Sequence, residues 1–212
     1  MTAYPHYSQT EERLNVGLHA FGFLLSVAGL VALLLRANTL DSMRALLSFG
    51  LFGVSLVLLY SISTLYHCAQ NPRLRSRLRI ADHASIYVLI AGTYTPFTLL
   101  VLQGNVGWSI FAASWSMALA GIVLKLFYTG RFRLLSTLLY VFMGWIILFA
   151  MDPLLARFDG TGLVWLAAGG ISYTLGAILY SIRRLPLNHA IFHLFVLLGS
   201  VCHFVAVYFY IA

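Results

Sequence analysis

The sequence predicts an all-α membrane protein, a bundle of seven transmembrane helices. Of its 212 residues, 61% are hydrophobic and 9% are charged. Soluble domains carry about 25% charged residues, so the composition excludes an ordinary soluble domain. Apolar residues fall into seven stretches, and a span needs about 20 such residues. We therefore expect one transmembrane domain over residues 1–212, with residues 1–15 as a short cytoplasmic tail.

The predicted spans follow one another with short loops between them. They cover residues 16–35, 45–67, 80–102, 107–127, 134–151, 161–181 and 188–210. Pro96 lies inside the third span, where it should kink the helix, and neighbouring hydroxyl groups can satisfy the carbonyl that it leaves free. Asp152 and Pro153 are expected to end the fifth span, because proline ends a helix cleanly.

Basic residues predict the orientation of the bundle. Ten of the 13 lie on the side that holds the N-terminus, namely Arg13, Arg73, Arg75, Arg77, Arg79, Lys125, Arg131, Arg133, Arg183 and Arg184. The other side holds Arg36, Arg44 and Arg157. The positive-inside rule therefore predicts a cytoplasmic N-terminus and an outside C-terminus. Because these residues sit in short loops, the net charge of +7 indicates topology and no nucleic-acid partner.

Ionisable residues gather at the predicted cytoplasmic end of three spans. His67 ends the second span, Asp82 begins the third, and His189 and His193 open the seventh, four residues apart and therefore on one helix face. Ser63 lies one turn deeper than His67 on the same face. Polar groups in lipid are energetically costly, so these residues are candidates for a functional site.

The residue types suit a zinc ion. His67, His189 and His193 supply three nitrogen ligands and leave a fourth position for a water, whose pKa falls to about 7 on zinc. Asp82 is then placed to accept a hydrogen bond from that water and act as general base, or to serve as a fourth ligand. Ser63 can polarise a substrate carbonyl or position the water. Iron, cobalt or manganese can use the same ligands.

Structural interpretations stand beside the functional ones. A histidine pair four residues apart is by itself more typical of packing or interfacial polarity. Asp82 alternatively pairs with Arg79, and Ser63 alternatively donates a hydrogen bond between helices. His203 lies about 15 Å deeper than His193 at the helical rise of about 1.5 Å per residue, and is interpreted as an interior histidine. His19 has the right depth for a position beside the ligands.

These residues resemble the progestin and adipoQ receptor family, and within it the haemolysin III branch. The resemblance rests on Ser63 to His67, read as S-x3-H, on Asp82 at the start of the third span, and on His189 to His193, read as H-x3-H. The stretches 92–96 and 14–19 look similar too. The likeness covers essentially the whole chain, in order and with the right number of spans.

The resemblance implies a zinc ion held by the three histidines, an aspartate that holds its water, and an assisting serine. In related receptors and alkaline ceramidases this arrangement is associated with hydrolysis of lipid amides. The implied function is a zinc-dependent hydrolase of lipid amide or ester bonds, engaged in membrane lipid homeostasis. Its partners would be membrane lipids and its location the inner or plasma membrane.

Two other functions stay open. One is a non-catalytic membrane sensor or homeostasis protein in which zinc is structural. The other is a pore-forming haemolysin, which would need polar groups along the full depth of the bundle. A retinal pump is excluded because the seventh span contains no lysine for a Schiff base. A metal transporter would require ligands at mid-membrane or on both faces.

Overall fold

The computed structural model describes residues 7–129, 131–182 and 184–211, apart from the side chain of Arg133. Within these ranges the chain has no strand, and seven helical segments are long and apolar enough to cross a membrane. The predicted all-α, seven-span fold is confirmed. The predicted loop residue Arg183 and the first six residues of the predicted tail lie outside the described ranges.

Among the described residues, eight α-helices build the seven spans. They are α1 (Gln9–Thr39), α2 (Met43–Cys68), α3 (Pro72–Pro96), α4 (Gly104–Tyr128), α5 (Arg133–Gly144), α6 (Met151–Arg157), α7 (Gly160–Ser181) and α8 (Asn188–Tyr210). A π-helical segment, Phe97–Leu102, extends α3, and a 3₁₀ segment, Ile146–Ala150, joins α5 to α6. The third and fifth spans are therefore composite.

The chain order brings seven helix ends to one end of the bundle. Helix α1 packs against α2 and α8, and the pairs α2–α3, α3–α4 and α7–α8 also pack together. Because consecutive spans pack side by side through short connections, they run in alternating directions. The starts of α1, α3, α5 and α8 therefore meet the ends of α2, α4 and α7. We call this end, which carries His67, His189 and His193, the histidine face.

Helix α1 begins earlier than the predicted span, at Gln9 rather than near residue 16. The Ser8 hydroxyl accepts a hydrogen bond from the Glu11 N–H at 3.1 Å, which satisfies one of the free donors at a helix start. Residues 9–15 of the predicted tail are therefore helical and continue the first span. This first turn brings Glu11, Glu12 and Asn15 to the histidine face.

Pro96 changes the helix of the third span from α to π geometry. The hydroxyls of three nearby threonines donate hydrogen bonds to backbone carbonyls: Thr93 to Leu89, Thr95 to Ala91 and Thr98 to Tyr94, at 2.8 to 3.0 Å. Hydroxyl groups thus support the backbone around the proline, where no water is available in a bilayer.

The fifth span does not end at Asp152 and Pro153, and the prediction that it does was wrong. The span breaks earlier, after Gly144, and resumes through the 3₁₀ segment into α6, which contains Pro153 in its first turn. A proline is tolerated there because first-turn N–H groups have no partner within the helix. The Tyr94 hydroxyl bridges the break, donating to the Gly144 carbonyl at 2.7 Å and accepting from the Ile147 N–H at 3.2 Å.

A second polar contact ties three helices together deeper in the bundle. The Tyr60 hydroxyl donates to the Ser200 hydroxyl at 2.8 Å, and the Tyr173 hydroxyl lies 2.8 Å from the same oxygen. Tyr60 belongs to α2, Tyr173 to α7 and Ser200 to α8. The three hydroxyls satisfy one another and fix α8, the helix that carries two of the candidate ligands.

Close approach of α1 and α2 depends on Gly53. A Cβ atom there would lie 2.6 Å from Leu30 Cδ1 and 3.1 Å from Leu30 Cα, whereas a Cβ at Gly50 would lie 3.7 Å from its nearest neighbour, Leu34 Cδ2. Small residues allow such approach of helix backbones in membrane proteins.

We expect Gly53→Ala to lower the free energy of unfolding by about 1–3 kcal/mol, because overpacking forces the two helices apart. Gly50→Ala is the matched control, since it gains the same helix propensity without a clash, and its stability should be unchanged or higher. Thermal unfolding of the two variants in detergent measures the difference. Equal stabilities would contradict the packing argument.

Candidate metal centre

Three imidazole rings converge on the histidine face, one from the end of α2 and two from the start of α8. His67 Nε2 lies 3.2 Å from His189 Nε2 and 3.1 Å from His193 Nε2. All three side chains are buried, and one potential ligand atom from each lies within 4.8 Å of the others. The structure thus brings together the three histidines that the sequence selected, and their arrangement can hold a metal ion.

The spacing and the burial of these nitrogens fit such an ion. Zinc–nitrogen bonds of about 2.0–2.1 Å in tetrahedral geometry separate the ligand nitrogens by about 3.3 Å. A neutral imidazole has one N–H and one lone pair, so three converging Nε2 atoms cannot all be satisfied by one another. A cation shared by their three lone pairs satisfies all of them.

A carboxylate binds the ring nitrogen of His67 that does not face the other two histidines. His67 Nδ1 lies 2.7 Å from Glu12 Oε2, and the other oxygen of Glu12 pairs with the Arg75 guanidinium. With its Nδ1–H donated to Glu12, His67 directs the Nε2 lone pair at the other two rings. Carboxylate–histidine pairs of this kind orient metal ligands and raise their basicity.

The sequence analysis did not select Glu12 or Arg75. The signal was present: Ser8 and Glu11 have the S-x-x-E spacing of a capping box, which starts a helix at residue 9. On that helix Glu12, Asn15 and His19 follow at steps of three and four and share one face. The sequence does not show which arginine pairs with Glu12. Four arginines occupy every second position from 73 to 79, and each is an equally good candidate by sequence alone.

The start of α8 is fixed by contacts from α1 and α7. The backbone N–H of His189 donates to Glu11 Oε1 at 3.1 Å, and the Asn188 side chain donates to the Tyr180 and Ile182 carbonyls. Leu187 precedes the helix with a positive φ of 57°. These contacts define where α8 begins and therefore where its first two histidines point.

Aromatic rings surround the three imidazoles. Tyr7 stacks on His189 with ring centroids 4.7 Å apart, and His19 contacts His193 with centroids 3.6 Å apart. Both ring nitrogens of His19 are buried without a hydrogen-bond partner among the described residues. His19 therefore lies beside the candidate ligands but is not in the group of three. His203 is buried elsewhere, with Nε2 3.2 Å from the Leu166 carbonyl, as expected for an interior histidine.

A cavity of about 390 Å³ opens beside the histidines. Ser63, Asp82, His189 and His193 line it. The carboxylate of Asp82 is 3.7 Å from His83 Nδ1 and, within the part of the chain that the structure describes, does not belong to the group of converging ligand atoms. Asp82 thus faces the same cavity as two candidate ligands without joining them.

Ser63 differs from most other hydroxyl residues of the bundle. Its side chain is fully buried, and its Oγ has no hydrogen-bond partner among the described residues. Neighbouring Thr64 instead donates to the Tyr60 carbonyl at 2.7 Å, the usual arrangement for a hydroxyl in a membrane helix. The Ser63 hydroxyl is therefore free to bond a group that enters the cavity.

The fold and the site define a class of protein: seven-span membrane proteins with three histidines gathered at one end of the bundle. A family model described as "Haemolysin-III related" matches residues 7–204. The chain therefore belongs to the haemolysin III family. No solved structure matches it.

Individual relatives agree with this assignment. The chain is 45% identical over 201 residues to Hemolysin-3 of Bacillus cereus, covering 95% of this chain and 92% of that protein. It is 46% identical over 200 residues to a Hemolysin-3 homolog of Bacillus subtilis, covering 94% of each. A distant similarity, 29% over 214 residues, covers 95% of this chain and 84% of the human monocyte to macrophage differentiation factor, a protein of the progestin and adipoQ receptor family.

We expect Glu12→Gln to weaken metal binding by about 10–100-fold, because the acceptor that orients His67 loses its charge. The affinity is measured by competition with a chromogenic chelator. Arg75→Gln removes the partner of Glu12 but leaves the carboxylate on His67, so its effect should be smaller. Unchanged affinity in Glu12→Gln would show that His67 is oriented without this carboxylate.

Proposed function

We propose that the protein is a zinc-dependent intramembrane hydrolase of lipid amide or ester bonds that acts in membrane lipid homeostasis, in the plasma membrane of its cell. The observation that carries the proposal is the shared cavity. It joins two candidate zinc ligands, a carboxylate and an unpartnered hydroxyl to a space whose walls are mostly apolar. Such an arrangement of few polar groups in an apolar pocket is typical of small-molecule sites.

Each residue has a role that follows from its position. Zinc, when bound to three imidazoles, supplies a Lewis acid and lowers the pKa of a water to about 7. Asp82 accepts the proton that the attacking water loses and passes it to the leaving group. Ser63 donates its hydroxyl to the substrate carbonyl oxygen, where negative charge develops. Glu12 keeps His67 in the tautomer that leaves Nε2 free.

The shape of the cavity supports a lipid substrate. Its walls away from the histidine face are mostly apolar, with Leu154, Leu155, Leu163 and Leu166 among them, and only scattered polar groups such as His203. An acyl chain placed there is shielded from water, while the bond to be cleaved lies at the histidine face. The same apolar far end disfavours a conducting pore, which needs polar groups along its whole depth.

A structural role for zinc is the second candidate. The observation that favours it is the linkage of three helices at one point: α1 through Glu12, α2 through His67, and α8 through His189 and His193. If zinc is only structural, its removal lowers the thermal stability of the bundle. The zinc-loaded wild-type protein then hydrolyses no lipid. Substitution of Asp82 distinguishes the two candidate functions, because only the hydrolase requires this carboxylate.

We expect His189→Ala and His193→Ala to lose bound zinc, because two imidazoles retain far less affinity than three. Elemental analysis of the purified variants, beside wild-type protein with about one zinc per chain, measures the loss. His203→Ala is the control for removal of a buried imidazole outside the group and should keep its zinc. Full zinc content in the first two variants would overturn the assignment of the ligands.

We expect Asp82→Ala to retain zinc and to lower the rate of lipid amide hydrolysis by about 10²–10⁴-fold, the usual contribution of a general base. The rate is measured as fatty acid released by the purified protein from short-chain lipid amides, both neutral ones such as ceramides and acidic ones such as N-acyl amino acids. Hydrolysis at the wild-type rate in the variant would exclude Asp82 as the base. Absence of turnover in zinc-loaded wild-type protein across lipid amides and esters would instead favour the structural role.

A further inference from the structure

The same cavity is also lined by basic residues that the proposed hydrolysis does not use. Lys125, near the end of α4, is the only lysine of the chain and is 4% exposed. It faces the cavity that holds His189 and His193. Lysine in a membrane helix usually extends its amine to the water interface, so a lysine buried against an internal cavity needs an explanation.

The partners of Lys125 are neutral. Its Nζ donates to Ser136 Oγ at 2.5 Å and lies 5.5 Å from the centre of the Tyr140 ring. Within the described ranges, no carboxylate lies within ion-pair distance of this amine. A hydroxyl and an aromatic face stabilise a cation only in part, and a buried charge without a counter-ion is strongly unfavourable.

A second cation reaches this region of the cavity. Arg79 is 6% exposed and also lines the cavity, and its carbonyl oxygen accepts a hydrogen bond from His83 Nδ1 at 2.8 Å. The His83 carbonyl in turn accepts from the Tyr140 hydroxyl at 2.9 Å, which ties α3 to the helix that carries Ser136. Arg79 and Lys125 thus line one cavity from adjoining helices, and we call these two side chains the basic cluster.

The charges around the cavity do not balance. Its described lining contains two basic residues, Arg79 and Lys125, and one acidic residue, Asp82. The cavity therefore has a positive region at its polar end and an apolar region beyond it. An amphiphile with an anionic head and a hydrocarbon tail matches both regions.

We propose that the basic cluster binds the anionic headgroup, a phosphate or a carboxylate, of a lipid whose acyl chain occupies the apolar part of the cavity. The inference builds on the proposed function, because the same cavity would hold the substrate, and it narrows that substrate to acidic lipids. Lys125 and Arg79 supply the positive charge. Hydrogen bonds from a cation to an anionic headgroup are stronger than hydrogen bonds between neutral groups.

Binding can be measured without catalysis, which separates this inference from the proposed function. The protein in neutral phosphatidylcholine nanodiscs is titrated with decyl phosphate, decanol and inorganic phosphate by isothermal titration calorimetry. Decyl phosphate should bind at least tenfold more tightly than either of the others, because only it engages both regions. The titration is run on metal-free protein, so that the phosphate cannot coordinate zinc and its binding does not depend on whether the protein hydrolyses lipids.

Two substitutions at one position test the charge. Lys125→Met keeps the length of the side chain and removes its charge, so decyl phosphate binding should weaken about tenfold or more while decanol binding stays the same. Lys125→Arg keeps the charge and should stay within about threefold of wild type. Arg131→Gln removes an exposed charge from the α4–α5 connection and should change nothing.

Three results would overturn the proposal. The first is equal affinity of the wild type for decyl phosphate and decanol, which decides the matter even where Lys125→Met fails to fold. The second is wild-type binding of decyl phosphate by folded Lys125→Met. The third is equal affinity for inorganic phosphate and decyl phosphate, which would make the ligand a soluble anion instead of a lipid.

Discussion

Polar groups inside the bundle must be satisfied by other groups of the protein, because hydrocarbon offers no hydrogen bonds. This constraint acts most strongly where three imidazoles from two helices meet. His67 and the α8 pair can lie 3.1–3.2 Å apart only if α2 and α8 pack at a fixed height. Glu12 then draws the start of α1 against them. The polar groups of the site are therefore satisfied only when α1, α2 and α8 pack in this arrangement.

The same constraint explains irregular features elsewhere. The fifth span breaks at Gly144, and Tyr94 of the third span reaches across to bond both sides of the break. The break in turn leaves room for the cavity, which Tyr94, Gly144 and Ile147 line. An interrupted helix is tolerated at membrane depth because a neighbouring hydroxyl replaces the lost backbone bonds and because the interrupted backbone faces a cavity.

Polar residues of the cavity fall into two groups with different chemistry. Around the histidines, lone pairs and carboxylates dominate, which suits a cation. Around Lys125 and Arg79, positive charge dominates, which suits an anion. Both groups line a space whose walls are mostly apolar.

The sequence by itself determined the fold class, the number of spans and the identity of the three histidines. Length and hydrophobicity fix a transmembrane helix locally, and residues four apart share a face whatever the rest of the chain does. The sequence did not give the end of the fifth span, because the break at Gly144 depends on Tyr94, 50 residues earlier. Nor did it reveal the Glu12–Arg75 pair beside His67 or the burial of Lys125 against the cavity. These depend on which helices become neighbours, and only the packed bundle decides that.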